Sequence, residues 1–270
     1  MAWVLRMLYT LGMCNTKTSQ EAARMRRAVR QQAQAAKLMG VDFVPCFRTG
    51  DGIDQALGDG PCELPEDDRR AKATGAMKRL RAKYERQAPH QHFNTSFTNI
   101  VWGDGDVCAR LMFIGEAPGA DEDRTGVPFV GRAGQLLNKM ILAMGLRREM
   151  VYIANVLKTR PPNNATPTLE EADACAPYLY KQIEIVKPEV IVTLGLPAAR
   201  LILQSNESMG RMRGQWARFS PPGSTLDPIA VMPTYHPAYL LRAYTAENRK
   251  KVWSDLKMAM DRLGLEKPSA

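Results

Sequence analysis

The sequence predicts an α/β fold, a three-layer α/β/α sandwich around a central, mostly parallel four-stranded sheet, preceded by an N-terminal helical extension. Three observations predict it. From Asn99 onward, short apolar runs of strand length alternate with amphipathic segments of helix length. The runs end at glycine or polar residues, as buried strands do when they enter a turn. The 270 residues, 45% of them hydrophobic, supply one sizeable core and some chain beyond it.

Residues 1–86 hold 16 Lys and Arg against 10 Asp and Glu, so +6 of the formal +9 of the chain lies there. Thr18 to Met39 sets Ala22, Met25, Val29, Ala36 and Met39 at helical spacing with arginines between them. Glu66 to Arg86 does the same with Ala73, Met77, Leu80 and Tyr84, and the Gly-, Asp- and Pro-rich stretch from Gly50 to Pro65 reads as a loop. Residues 1–86 are therefore expected to be a basic helical extension, and 87–270 the α/β/α domain. The basic faces suit solvent, packing on the main domain, or DNA.

Strands are expected at 110–115, 151–156, 189–195 and 229–235. A helix from Gly134 to Met144 buries Leu137, Met140, Ile141 and Met144 and stops at Gly145. The next opens with a capping box, Thr168 with Glu171, and ends before Lys187-Pro188. Pro197 fits the first turn of a short helix to Gln204, and Thr245 caps a last one to Leu263.

The +9 charge and pI near 9.4 suit a polyanionic partner. The longest apolar stretch, Val190 to Leu203, is shorter than a membrane span and contains Arg200. Met1 to Met13 lacks a small-residue cleavage site, so a cytoplasmic protein is expected. Cys14, Cys46, Cys62, Cys108 and Cys175 are odd in number and form no CxxC, which points to neither a disulfide framework nor a zinc site. Cys175 falls on the apolar face Ala172, Leu179, Ile183, Val186 and reads as a core thiol.

The chemistry concentrates in Arg110 to Gly134. An apolar run stops at Gly115, and the Gly- and Pro-containing loop that follows carries Glu116, Asp121, Glu122 and Asp123, with Phe129 beyond it. Ligands of α/β sheets bind at such carboxyl ends of strands. Alone, the loop is equally a phosphate cradle, or a set of acids complementing a helix dipole. Two further polar groups end strands, Asn155 and His236.

Three separated motifs together resemble family 4 of the uracil-DNA glycosylase superfamily. They are Gly115-Glu116-Ala117-Pro118-Gly119 with Glu122, Asp123 and Pro128 to Gly134; Tyr152 to Val156 with Lys158 and Arg160-Pro161-Pro162; and Met232 to Arg242. The resemblance runs from about Asn99 to Leu263. It implies a monofunctional DNA-repair glycosylase that flips uracil out of DNA and hydrolyses its N-glycosidic bond, leaving an abasic site. Phe129 would give the base a face, with Ala117 and Gly119 beside it. Asn155 would accept from uracil N3–H and donate to O4, a pattern cytosine does not offer. His236 would stabilise charge on O2 of the departing base. Glu122 is the expected water-orienting carboxylate, Glu116 a further catalytic candidate, and Asp123 fixes the loop. Glu122 could instead crowd the C5 edge and exclude thymine. Lys158 and Arg160 would clamp the DNA backbone, and Leu240, Leu241 and Arg242 would serve the vacated minor-groove side.

The family also carries a 4Fe-4S cluster on four cysteines. Here Ala88 to Phe93 offers none, Thr159 stands at the third position, and Cys175 alone remains. The cluster is expected to be lost and no other cofactor is implied. The expected partner is DNA containing uracil, single- or double-stranded, bound by a monomer without membrane contact. Alternatives are a glycosylase for another deaminated base, a non-catalytic binder of single-stranded or abasic DNA on the same fold, and an unrelated nucleotide-binding α/β protein.

Overall fold

Apolar patterning sets the boundaries of the four central strands and the longer helices in the computed structural model, which describes residues 66–93 and 97–265. In chain order the principal elements are α1 (Glu66–Gln87), β1 (Asp104–Gly105), β2 (Leu111–Gly115), α2 (Ala120–Thr125), α3 (Arg132–Ala143), β3 (Tyr152–Asn155) and α4 (Leu169–Val186). There follow β4 (Val190–Leu194), α5 (Leu196–Leu203), α6 (Met209–Met212), β5 (Ala217–Phe219), β6 (Ile229–Thr234), α7 (Pro237–Arg242) and α8 (Ala246–Leu263). The predicted capping box closes on α4, where Thr168 Oγ1 accepts from Glu171 N and Glu171 Oε2 accepts from Thr168 N. Thr245 caps α8 in the same manner through Asn248 N.

The sheet has six strands in the order β1-β3-β2-β4-β6-β5, not four. The four expected strands are its parallel centre, and β1 and β5 pair antiparallel at the two edges. These edges are two and three residues long, too short for an alternating pattern to declare them. Central strands bury both faces. On β2, Met112 and Ile114 enter one apolar layer, with α1, α4 and α5, while Leu111 and Phe113 enter the other, with α3 and α8. Pro233 lies in β6 beyond the last residue paired to β5, so its missing N–H removes no ladder bond on that side.

The described residues, 66–93 and 97–265, belong to one compact unit that includes α1. The predicted face of α1 is buried at Ala73, Met77 and Tyr84, and Tyr84 is 0% exposed. Its ring meets Tyr178 of α4 edge-on at 4.9 Å, and Tyr178 Oη donates to Gln87 Oε1 at 2.6 Å. This helix therefore closes one layer of the core. Truncation at Ala88 is expected to give insoluble or non-cooperatively unfolding protein, because it uncovers the apolar layer over α4; a chain starting at residue 65 should keep a single unfolding transition. Calorimetry of the two fragments checks this, and a soluble, cooperative fragment from Ala88 would sink it. The expected helix at 18–39, the loop at 50–65 and Cys14, Cys46 and Cys62 lie outside the described residues. No helix among the described residues is long and apolar enough to cross a membrane.

Candidate active site

Parallel strands deliver their carboxyl ends to one edge, and β2, β3 and β6 end there in Gly115-Glu116, Asn155 and Thr234-Tyr235-His236. A cleft of about 380 Å³ opens at that edge, and its walls include Glu116, Ala117, Gly119, Phe129, Asn155 and His236. All six were expected site residues.

Asn155 is 1% exposed, and among the described residues its Oδ1 has no hydrogen-bond partner. An unpaired buried carbonyl oxygen is costly. A ligand donor in the cleft would satisfy it. Gly115 pairs with Asn155 across the sheet, and any Cβ on it would come within 2.4 Å of Asn155 Oδ1 and 2.5 Å of Phe129 Cζ. Glycine is thus the residue that lets an amide and an aromatic ring converge over one strand end.

Phe129 sits in the left-handed region at φ 53, an uncommon conformation for a residue with a Cβ. Arg148 holds it there, donating from Nη1 to Phe129 O at 3.1 Å and from Nη2 to Pro128 O, with further bonds to Asn138 Oδ1 and Asp104 Oδ2. The first turn of α3 presses on the same backbone, since a Cβ on Gly134 would lie 1.9 Å from Phe129 O. The ring centroids of Phe129 and His236 are 5.6 Å apart and their planes 33° apart.

His236 is the N-cap of α7, and its Nδ1 accepts from Ala238 N at 3.0 Å. An atom that accepts a backbone N–H carries no proton, so in the neutral ring Nε2 is the donor. Burial, then the nearby Arg242 charge, push its pKa down to about 4, with Glu122 opposing. The imidazole is neutral at physiological pH. Gly195, at φ +91, leaves room for it, since a Cβ there would lie 3.0 Å from His236 Cβ.

The two glutamates differ in what they are free to do. Glu122 accepts from Val130 N and Gly131 N at 2.8 Å on Oε1, and from Gly119 N at 3.2 Å on Oε2. It staples the acidic loop to the Phe129 segment. Glu116 is half-buried; burial raises its pKa above the usual carboxylate range, while the Thr166 hydroxyl and the Arg242 charge pull the other way. Asp123 fixes the loop as expected, accepting from Thr98 N and Asn99 N.

Two expected DNA contacts are corrected. Lys158 is 0% exposed and turned inward, donating to Asn155 O and Gln182 Oε1 at 2.6 Å each, so it cannot reach a phosphate. Burial pushes its pKa down to about 7. Leu240, 2% exposed, is part of the core layer with α3 and α8, because α7 turns that face inward. Leu241, 42% exposed, and Arg242 stay at the surface, lining a second hollow that shares Glu122, Ala133, Ala238 and Arg242 with the cleft. Arg160 is half-exposed and bonds Asn164 Oδ1.

Arg148, Thr166 and Gln182 were not anticipated. Arg148 lies in no motif. Gln182 had a signal, a polar residue on the otherwise apolar buried face of α4.

The positions where the family's iron–sulfur ligands are expected do converge, but what they hold does not fit a cluster. Cys175, fully buried, is the one thiol among those positions, and Thr159 offers a hydroxyl where a thiolate ligand is needed. Tyr84 lies beside Cys175 and Thr159, its Oη 3.1 Å from His90 Nδ1, and among the described residues Thr159 Oγ1 has no hydrogen-bond partner. Among the described residues, no group of three or more His, Cys, Asp or Glu could hold a metal ion.

The family profile of the Uracil DNA glycosylase superfamily matches residues 102–257, more than half of the chain. A type-4 uracil-DNA glycosylase of Thermotoga maritima is 47% identical over 163 residues, which are 60% of this chain and 82% of that protein. One from Archaeoglobus fulgidus is 44% identical over 176 residues, 64% of this chain and 86% of its own. A type-5 uracil-DNA glycosylase of Pyrobaculum aerophilum is 36% identical over 115 residues, 37% of this chain and 50% of that protein.

Proposed function

Because this chain belongs to the uracil-DNA glycosylase superfamily and, within it, to the type-4 family, we propose that it is a DNA-repair glycosylase whose cleft receives a flipped-out uracil and hydrolyses its bond to deoxyribose. The observation that carries the reading is the convergence on one cleft of an Asn155 amide whose Oδ1 has no partner among the described residues, the Phe129 ring and a neutral His236. The base stacks on Phe129. Asn155 accepts from N3–H and donates to O4. As the N1–C1′ bond breaks, its electron pair passes to the base, and Nε2–H of His236 donates to O2, where negative charge collects. Water bonds to C1′ from the other side and gives up a proton.

For the water we favour Glu116 over Glu122. Both carboxylates line the cleft, but three backbone N–H groups occupy that of Glu122, whereas burial raises the pKa of Glu116, as a group that must take up a proton requires. Outside the cleft, Arg242 is placed for a phosphate and exposed Leu241 for the gap left by the base, with the chain acting as a monomer. Neither a cytoplasmic location nor the monomer enters the chemistry.

The test is a gel assay on uracil-containing oligonucleotides, single- and double-stranded, with matched cytosine and hypoxanthine strands. Abasic product from the uracil strands alone is expected. Excision of hypoxanthine but not uracil would favour another deaminated base, and binding without product would favour a non-catalytic protein.

We also propose that the enzyme works without an iron–sulfur cluster, because Cys175 is the one thiol at the expected ligand positions and Thr159 brings a hydroxyl. Purified protein is expected to be colourless, with iron far below cluster stoichiometry by elemental analysis. A visible absorption band accompanied by stoichiometric iron would overturn this.

A further inference from the structure

The buried lysine just after the base-reading strand has a use that phosphate contact does not explain. Lys158 Nζ lies 2.6 Å from the main-chain oxygen of Asn155, at the end of β3, and 2.6 Å from Gln182 Oε1 in α4. Gln182, also 0% exposed, donates from Nε2 to Trp102 O at 3.0 Å and toward Tyr152 Oη at 3.4 Å. The ammonium also sits 5.4 Å from the centre of the Trp102 ring. Val101 N donates to Lys158 O at 2.8 Å, so the lysine's own backbone is pinned to the segment that carries Trp102.

We infer that Lys158 is a positioning residue for base recognition: with Gln182 it locks the Asn155 peptide against α4, and so aims the Asn155 amide into the cleft. A strand's last carbonyl has lost its ladder and must find a donor or turn. If this peptide turns, the Cα–Cβ bond of Asn155 turns with it. A tilt of that kind suffices to misalign two parallel hydrogen bonds to a base edge. The lysine acts from beneath the site and touches neither base nor phosphate. The inference rests on Asn155 being the base reader.

Lys158→Met keeps length and removes the donor. Single-turnover excision on a uracil oligonucleotide is expected to slow about tenfold, the scale of one displaced polar contact. Affinity for an oligonucleotide carrying a tetrahydrofuran abasic analogue, and its salt dependence, should not move, because no phosphate contact is lost. The double variant with Asn155→Ala should be no slower than Asn155→Ala alone, and Lys158→Gln, which retains a donor, should recover part of the rate. Weaker binding with a shallower salt slope, additive losses in the double variant, or an unslowed Lys158→Met enzyme would each overturn the inference. If Lys158→Met does not fold, Gln182→Met loosens the same brace from the helix side, and the same coupling to Asn155→Ala is required of it. Should Asn155→Ala itself excise uracil at the wild-type rate, the base-reader assignment fails; normal losses there with an unslowed Lys158→Met enzyme sink only the role of Lys158.

Discussion

Uracil excision by a His236→Ala variant is expected to be slower by about 100- to 1,000-fold, the range for removing one preorganised donor to a developing oxyanion. The donor is fixed before substrate arrives. Ala238 N–H occupies Nδ1, so the ring proton resides on Nε2, and burial holds the ring neutral with a pKa of about 4. The substitution also unpairs Ala238 N at the start of α7, which costs about 1 kcal/mol as a lost cap. Stability should then change its acid response. The folded ring resists protonation down to about 4, whereas the unfolded chain takes up the proton near 6.5. The contribution of His236 to stability is therefore complete above about 6.5 and disappears as pH falls through about 4. His236→Ala should flatten this slope. Single-turnover rates at neutral pH and urea unfolding across the acid range are the measurements; a variant within about fivefold of wild type, far short of the oxyanion-donor range, would remove His236 from the leaving-group role.

Asn155→Asp is expected to abolish most uracil excision while changing shape hardly at all. The substitution replaces the amide donor with a second acceptor, so uracil O4 meets an oxygen lone pair in a site where the residue is 1% exposed. A mispaired polar contact of this kind costs on the order of 1 to 3 kcal/mol, or about ten- to a hundredfold, before any shift of the base is counted. The loss belongs to the ionised carboxylate, because a protonated acid can still accept from N3–H and donate to O4, so uracil excision should fall as pH rises through the titration of the new carboxyl group. At acidic pH the carboxyl group is protonated and can also donate to cytosine N3 while accepting from N4–H₂. Weak cytosine excision is therefore expected at acidic pH, and it stays small because cytosine is the poorer leaving group. Matched uracil and cytosine strands under single-turnover conditions decide the matter. Unimpaired uracil excision by a folded variant at alkaline pH, where the carboxyl group is ionised, would mean that another polar group reads the base.

The expected effects rank as they do because, in the proposed reaction, His236 would act on charge that exists only as the bond breaks, while Asn155 would act on both bound base and transition state. Lys158 acts on neither directly. It influences the base only through the peptide of Asn155.

How far the sequence reached depends on the range of the forces involved. Strand runs, the Thr168 capping box, the Thr245 cap and the apolar face of α1 depend on neighbours within a few residues, and so all were legible. The cleft was legible because parallel strands place their carboxyl ends together, which makes Gly115, Asn155 and His236 neighbours from topology alone. The two edge strands were not, since residues 104–105 and 217–219 take their conformation from the strands they pair with.

Tertiary structure alone decided the direction of side chains that can go either way. A lysine beside two motif residues is a phosphate contact if its arm turns outward, and a brace if a glutamine and a strand-end carbonyl await it inside; the partner Gln182 lies 24 residues away. Leu240 and Leu241 are adjacent and chemically alike, yet the helical turn of α7 buries one and exposes the other. Glu116 and Glu122 are both plausible bases by position, and only the three N–H groups gathered around Glu122 show which carboxylate is already engaged. The sequence determined which groups reach the cleft, because strand topology and local patterning fix the backbone there. Burial and hydrogen-bond partners brought from distant segments determined what each group is left free to do.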